Sequence, residues 1–155
     1  MYRKWIGIDP GLQGAVAVLP DLTLFDTPTI TVKGRRLHLP ILMADFLSQY
    51  SGSNCLVAIE KVHSMPKQGV ASTFSLGEGF GLWEGMTAAF DMATELITAN
   101  KWKRNMLGTN AHEKDYARLI AIQLFPEIAD QLSLKKHHGR ADALLLAEYL
   151  RRTTS

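Results

Sequence analysis

The sequence predicts an α/β fold: a mixed five-stranded sheet flanked by helices, in one domain spanning residues 1–155. Three observations carry this expectation. The first 26 residues hold three short apolar or alternating segments separated by tight turns, the mark of an antiparallel meander. Two further apolar runs, one near residue 55 and one near residue 94, each follow a stretch of helical spacing, which makes them strands reached by crossover helices. A chain of 155 residues, 46% hydrophobic and 21% charged, suits a single domain that buries roughly two thirds of its unfolded surface.

Trp5–Asp9 alternates, with Ile6 and Ile8 opposing Trp5, Gly7 and Asp9. Pro10-Gly11 turns the chain into a second strand, Gly14–Leu19, and Pro20-Asp21 turns it into a third, Leu22–Asp26. From Leu39 to Tyr50 the period becomes helical: Leu39, Leu42, Phe46 and Leu47 share a face, and Pro40 suits the first turn. Ser51-Gly52-Ser53-Asn54 closes this helix. Cys55–Glu60 is a continuous apolar run ending in a carboxylate, the pattern of a buried central strand. A Gly-rich connection, Met65–Val70, leads to a helix over Thr73–Phe90. Within it Gly77, Gly79, Gly81 and Gly85 either weaken the helix or mark close packing against a partner. Thr94–Ala99 makes the fifth strand. Asn110 caps a helix with Glu113 three residues on, running to Phe125 before Pro126. The last helix runs from Gly139 or Arg140 to Arg152. No repeat, low-complexity tract or linker interrupts this order.

No apolar run approaches the ~20 residues that a membrane span needs. Met1–Trp5 leads into a strand pattern without the hydrophobic region of a signal peptide, so the expected location is the cytoplasm. A single cysteine, Cys55, leaves no internal disulfide and no cysteine-based zinc site. The net charge of +2 names no partner by itself. Its distribution is more informative: Lys33, Arg35 and Arg36; Lys101, Lys103 and Arg104; Lys135, Lys136 and Arg140; Arg151 and Arg152. Any one cluster is first of all solvated surface, but several in so short a chain favour a polyanion.

The acidic residues are dispersed, and three of them hold chemically suggestive places. Asp9 ends the first strand and Glu60 the fourth, so neighbouring strands would put both carboxylates at one end of the sheet. Asp142 falls in the first turn of the final helix, with His138 four residues earlier, on the same face if the chain is helical there. Carboxylates gathered from separate segments repel one another unless a cation lies between them. Hard oxygen ligands suit Mg²⁺ or Mn²⁺, and two such ions per site would activate a water and stabilise a leaving 3′-oxygen in phosphodiester hydrolysis. Each residue also has a plainer use. Asp9 suits a turn before Pro10-Gly11, Asp142 complements a helix dipole, and His138 sits in a solvated Lys-Lys-His-His run. The combination carries the signal.

Three blocks, in order and spacing, resemble the RuvC-type Holliday junction resolvases of the RNase H-like superfamily, in their compact phage and phage-like bacterial branch. They are Ile6-Gly7-Ile8-Asp9-Pro10-Gly11 with Gly14-Ala15-Val16-Ala17; Val57-Ala58-Ile59-Glu60-Lys61-Val62 with Gln68-Gly69 and Phe80-Gly81-Leu82-Trp83-Glu84-Gly85; and His138-Gly139-Arg140-Ala141-Asp142-Ala143-Leu144-Leu145-Leu146-Ala147. The resemblance spans essentially the whole chain. It implies an RNase H-like fold and a DNA-associated enzyme that nicks four-way DNA symmetrically, leaving 5′-phosphate and 3′-hydroxyl ends. It also implies catalytic and metal-binding roles for Asp9, Glu60 and Asp142. His138 falls where many relatives have an Asp, and His137 competes for that place. A neutral imidazole there adds no negative charge and favours Mn²⁺ over Mg²⁺.

The same resemblance places Lys103 near the reacting phosphate, with Arg140 beside the acidic pair. It puts Phe74 where an aromatic wedges into the junction centre, core packing being the plainer alternative. Lys67, Gln68, Lys101, Arg104, Lys135 and Lys136 become candidate DNA contacts. It implies a homodimer suited to a two-fold junction, with Leu76, Phe80, Leu82, Trp83 and Met86 of the Gly-rich helix at the seam. Two other functions fit the residues: an RNase H-like nuclease for other branched DNA or for RNA–DNA hybrids, and a junction-binding protein that no longer cuts.

Overall fold

The computed structural model describes residues 2, 4–52, 54–113 and 115–155, so Ser53 of the expected closing turn and Met1 and Arg3 of the N-terminal run lie outside it. The meander forms as the alternation requires. Strands β1 (Lys4–Ile8), β2 (Ala15–Leu19) and β3 (Thr23–Asp26) pair antiparallel in sequence order. Strand β6 (Cys55–Lys61) lies parallel to β1 on its other side, and β7 (Ala93–Thr98) lies parallel to β6. The five-stranded order is therefore β3-β2-β1-β6-β7. Helix α1 (Pro40–Ser48) makes the crossover to β6, and α2 (Val70–Ala89) the crossover to β7.

The two faces of β1 read off its alternation. Ile6 and Ile8 pack with Val16, Val18, Val57 and Ile59 under α1 and α2, where Met43, Leu47 and Trp83 complete one core. The opposite face carries Gly7, Ala15, Ala17 and Ala58 and is covered by α5 (His138–Thr154), whose Ala143, Leu144 and Ala147 belong to the second core. Small residues on this face bring the helix close. A Cβ on Gly7 would stand 2.1 Å from the Ala143 carbonyl oxygen and 2.6 Å from the Ala147 nitrogen, so no side chain fits there. Among the described residues no helix is long and apolar enough to cross a membrane.

The structure departs from the sequence expectation at four places. First, a separate antiparallel hairpin, β4 (Thr29–Val32) with β5 (Arg35–His38), precedes α1. Lys33 and Gly34 turn it at φ 50° and 74°, both left-handed, as a two-residue hairpin turn demands. Second, a helix follows β7 directly: α3 (Ala99–Leu107), capped by the Thr98 hydroxyl accepting from the Lys101 amide and ended at Gly108, φ 61°. Third, Asn110 caps no helix among the described residues. It ends a 3-10 turn over Gly108–Asn110, and α4 starts only at Tyr116, after Asp115 in a left-handed conformation, running to Leu124. Fourth, Trp83 is fully buried in the chain's own core, with Phe80, Leu82 and Met86 packed half-buried against the same cluster. Of that helix, the glycines Gly77, Gly81 and Gly85 open on solvent, where an added Cβ would meet none of the described residues within 4 Å.

Candidate active site

Parallel pairing of β1 with β6 sets the register Ile8↔Ile59, so Asp9 and Glu60 follow side by side just past the paired residues. By the alternation both share the parity of Gly7 and Ala58, which is the face covered by α5. The N-terminal end of α5 is drawn onto the turn after β1 because residue 139 is glycine: a Cβ there would stand 2.2 Å from the Gln13 carbonyl oxygen. Asp142, one residue before the close-packed Ala143, lies in the second turn of α5 rather than in the first. Three carboxylates from three segments thus converge beside one edge of the helix.

Their electrostatics register that convergence. Burial pushes Asp9 from 3.8 up to about 7, with the Glu60 and Asp142 charges adding to it and the Gly11 amide and His138 opposing. Asp142 rises to about 6, again chiefly by burial, with Lys103 opposing and Glu60 adding. Raised pKa values in a cluster of acids describe a site that lacks positive charge, which is the chemistry a hard divalent cation satisfies. Among the described residues no three His, Cys, Asp or Glu side chains stand close enough to share one ion. Three of the four candidates are held by protein partners instead. Glu60 Oε2 accepts from Trp102 Nε1 at 2.7 Å, and His138 Nε2 lies 3.3 Å from Gln13 Oε1. Asp9 Oδ1 accepts from the Gly11 amide at 3.2 Å. The donor set fits Mg²⁺ or Mn²⁺, provided Glu60 and His138 turn from these partners.

The remaining candidates divide into those beside the acids and those elsewhere. His138 and Asp142 line a cleft of about 290 Å³ together with Lys103 and Lys135, so Lys103 sits where its charge meets Asp142. His137 is turned away: it is buried, its Nδ1 accepts from the Leu134 amide at 3.1 Å, and its charged neighbours are Arg140, Lys136 and Asp26. Arg140 is likewise not beside the acids. It forms a two-pronged pair with Asp26, both contacts 2.8 Å, and donates to the Gln131 carbonyl at 2.8 Å. With Lys136 it lines a different cleft, across the Gln13-Gly14 turn.

Lys101 and Arg104 are exposed on α3, Arg104 sharing with Lys103 a cleft of about 600 Å³. Lys67 adopts φ 65°, and the Gln68 carboxamide oxygen accepts from the Met65 amide at 3.2 Å. Phe74 is 63% exposed on the first turns of α2, which settles it as a surface aromatic rather than a core one. Sequence reasoning missed Trp102 and Gln13, the two partners of the acid–histidine group. Thr98 as a cap and Gly108 as a stop could have revealed α3 and hence Trp102; no sequence signal marks Gln13.

The three-dimensional arrangement is similar to that of Thermus thermophilus RuvC, with a TM-score of 0.58 at 15% identity over 97% of this chain and 96% of that one. The fold is that of RuvC. The same protein in complex with a Holliday junction substrate matches with a TM-score of 0.56 and 14% identity, covering 97% and 96%. In sequence, 85 residues are 31% identical to the chloroplastic Holliday junction resolvase MOC1 of Chlamydomonas reinhardtii. That stretch is 55% of this chain and 10% of the relative, so the chain spans about a tenth of the curated relative it matches. No family model matches the sequence. The expected mixed sheet, a three-stranded meander with two helix-connected strands, is thus borne out both in the coordinates and in the RuvC likeness.

Proposed function

We propose that the chain is a metal-dependent endonuclease that resolves Holliday junctions, cutting opposed strands of four-way DNA to leave 5′-phosphate and 3′-hydroxyl ends. One observation carries the reading: Asp9, Glu60 and Asp142 converge at the end of β1 and β6, beside Lys103 and His138, with the pKa values of Asp9 and Asp142 raised above the ordinary carboxylate range. Such a site has little use in a purely structural role, since it destabilises the fold at neutral pH. The named substrates of the RuvC complex and of the chloroplast resolvase support a four-way junction as the DNA.

Asp9, Glu60, Asp142 and His138 would hold Mg²⁺ or Mn²⁺, two ions per site. Bound there, the metal supplies an acidified water and charge stabilisation at the leaving oxygen. Around it, Lys103 Nζ is placed to neutralise charge developing on the cleaved phosphate, and His138 Nε2 to accept a proton once it leaves Gln13. Phe74 is free to wedge between bases at the branch, and Lys67, Lys101, Arg104, Lys135 and Lys136 to meet backbone phosphates. A second copy would present a second site to the opposed strand; the open face of α2 along Gly77, Gly81 and Gly85 is where it would approach.

The test incubates purified protein with an immobile four-way junction, a matched duplex and a fork, each with Mg²⁺, Mn²⁺ or EDTA. Paired, metal-dependent nicks confined to the junction, lost in Asp9→Asn while junction binding persists, are expected. Parental cutting by Asp9→Asn would remove Asp9 from the site. Tight binding without cutting under either metal would replace the nuclease with a junction-binding protein.

A further inference from the structure

The hairpin β4–β5 was not foreseen, and its position gives it work to do. Its base is fastened beneath the turn that follows Asp9. The Thr27 amide donates to the Gly14 carbonyl at 3.0 Å, and the Leu39 amide to the Pro28 carbonyl at 3.0 Å. The His38 side chain, 1% exposed, reaches α2 through Nδ1, 3.2 Å from Glu78 Oε1. Its Nε2 is buried without a partner among the described residues. At Gly79 three parts meet: the point where a Cβ would stand lies 2.3 Å from the Pro10 carbonyl oxygen and 2.6 Å from His38 Nε2. Hairpin, α2 and the turn carrying Asp9 are therefore locked in one arrangement.

Between the hairpin tip and the first turns of α2 this arrangement leaves a cleft of about 500 Å³, lined among others by Gly11, Gln13, Arg35, Arg36, Ser72 and Ser75. No carboxylate lines it among the described residues. Its floor is the catalytic turn itself, since the Gly11 amide bonds Asp9 Oδ1 and the Gln13 side chain meets His138. Among the described residues Arg36 donates only through Nε, to Thr29 Oγ1 at 2.9 Å, with the end of its guanidinium making no hydrogen bond to them. It also lines the neighbouring cleft with Lys136, so positive charge continues around Leu12 and Gln13. The cleft is far too narrow for a duplex. Serine, glutamine and arginine donors suit phosphate and sugar oxygens, and exposed Phe74 on the same turns of α2 offers a face on which an unpaired base stacks.

We propose that the β4–β5 hairpin and the first turns of α2 form a strand-binding cleft, in which Arg35 and Arg36 hold the phosphodiesters of one unpaired DNA strand beside Asp9. The inference rests on the nuclease reading above and assigns the hairpin as the element that guides the strand to the acids.

The test measures affinity for a four-way junction and for matched duplex over a series of salt concentrations, in EDTA so that nothing is cut. Single-strand contacts lose counterions with a slope of about 0.7 per phosphate. The pair Arg35→Gln and Arg36→Gln is thus expected to lower the junction salt slope by about 1.4 and to leave the duplex slope unchanged. Arg35→Lys with Arg36→Lys should restore it. A second variant, Ser75→Trp, fills the cleft without altering charge and should weaken junction binding alone, which separates a blocked cleft from an unfolded hairpin. Parental junction slopes in the glutamine pair, with parental affinity in Ser75→Trp, overturn the cleft while leaving the nuclease reading standing. A wild-type protein that neither prefers nor cuts a junction overturns both.

Discussion

Asp9→Asn should make the metal-free protein more stable at alkaline pH, a result opposite to that of most substitutions next to a core. The folded protein raises Asp9 from 3.8 to about 7. A raised folded-state pKa means that stability is fully present below about pH 4 and is lost as pH rises towards 7. Each unit corresponds to ~1.36 kcal/mol, so an ionised Asp9 destabilises the fold by about 4 kcal/mol. Asp9 is only half-buried, and allowing for solvent screening about 2 kcal/mol remains. Asparagine keeps the shape and removes the charge. At pH 8 in EDTA the variant should therefore melt roughly 4–8 °C above the parent in a chain of this length. The gain should fade as pH falls from 7 to 4. Asp142 shares the sign of the effect, whereas Asp26 and Glu148, held low by Arg140 and by Arg151 with Arg152, have the opposite one. Subtracting parent from variant isolates Asp9. Calorimetric melts at pH 4, 6 and 8, with and without Mg²⁺, give the comparison, and Mg²⁺ should raise the parent's melting point but not the variant's. A variant that melts at or below the parent at pH 8, or gains equally at pH 4, would refute the burial of an ionisable Asp9 among the other acids.

Gly139→Ala should abolish cleavage and destabilise the fold by about 1–3 kcal/mol, because its methyl would stand 2.2 Å from a backbone oxygen and push His138 and Asp142 off the turn; urea melts with junction cleavage check it. Arg140→Gln should cost only about 0.2–1 kcal/mol in chemical denaturation, because the Asp26 that loses its partner is exposed, and should leave the rate of cutting bound junction within severalfold of parental, since the arginine faces away from the acids. Phe74→Ala should lower junction cleavage far more than affinity for linear duplex, with an unchanged melting point because the ring is 63% exposed.

Local pattern reached far into this fold. Alternation in Trp5–Asp9 assigned Ile6 and Ile8 to one core and Gly7 to the other. The apolar run ending at Glu60 marked a central strand, and the spacing of His138 and Asp142 put them on one helical face. These follow from the period of the chain and need no distant partner. The hairpin escaped because its strands are only four residues long and exposed, so that Ile30, Val32 and Leu37 lie on a two-stranded sheet with no core beneath it. The helix expected from Asn110 failed because Gly108 and Asp115, both left-handed, broke the chain on either side of it. Which histidine faces the acids, whether Arg140 is free, and which way Phe74 points were decided only by packing. Gly139 against the Gln13 carbonyl leaves exposed His138 beside the Gln13 side chain and buried His137 against the Leu134 amide, while Asp26 on β3, 114 residues away, claims Arg140. Sequence alone determined the acids and the strands that carry them, because period and residue type are local. The charge that each acid feels depends on segments brought together only by the closed sheet and the helix laid across it.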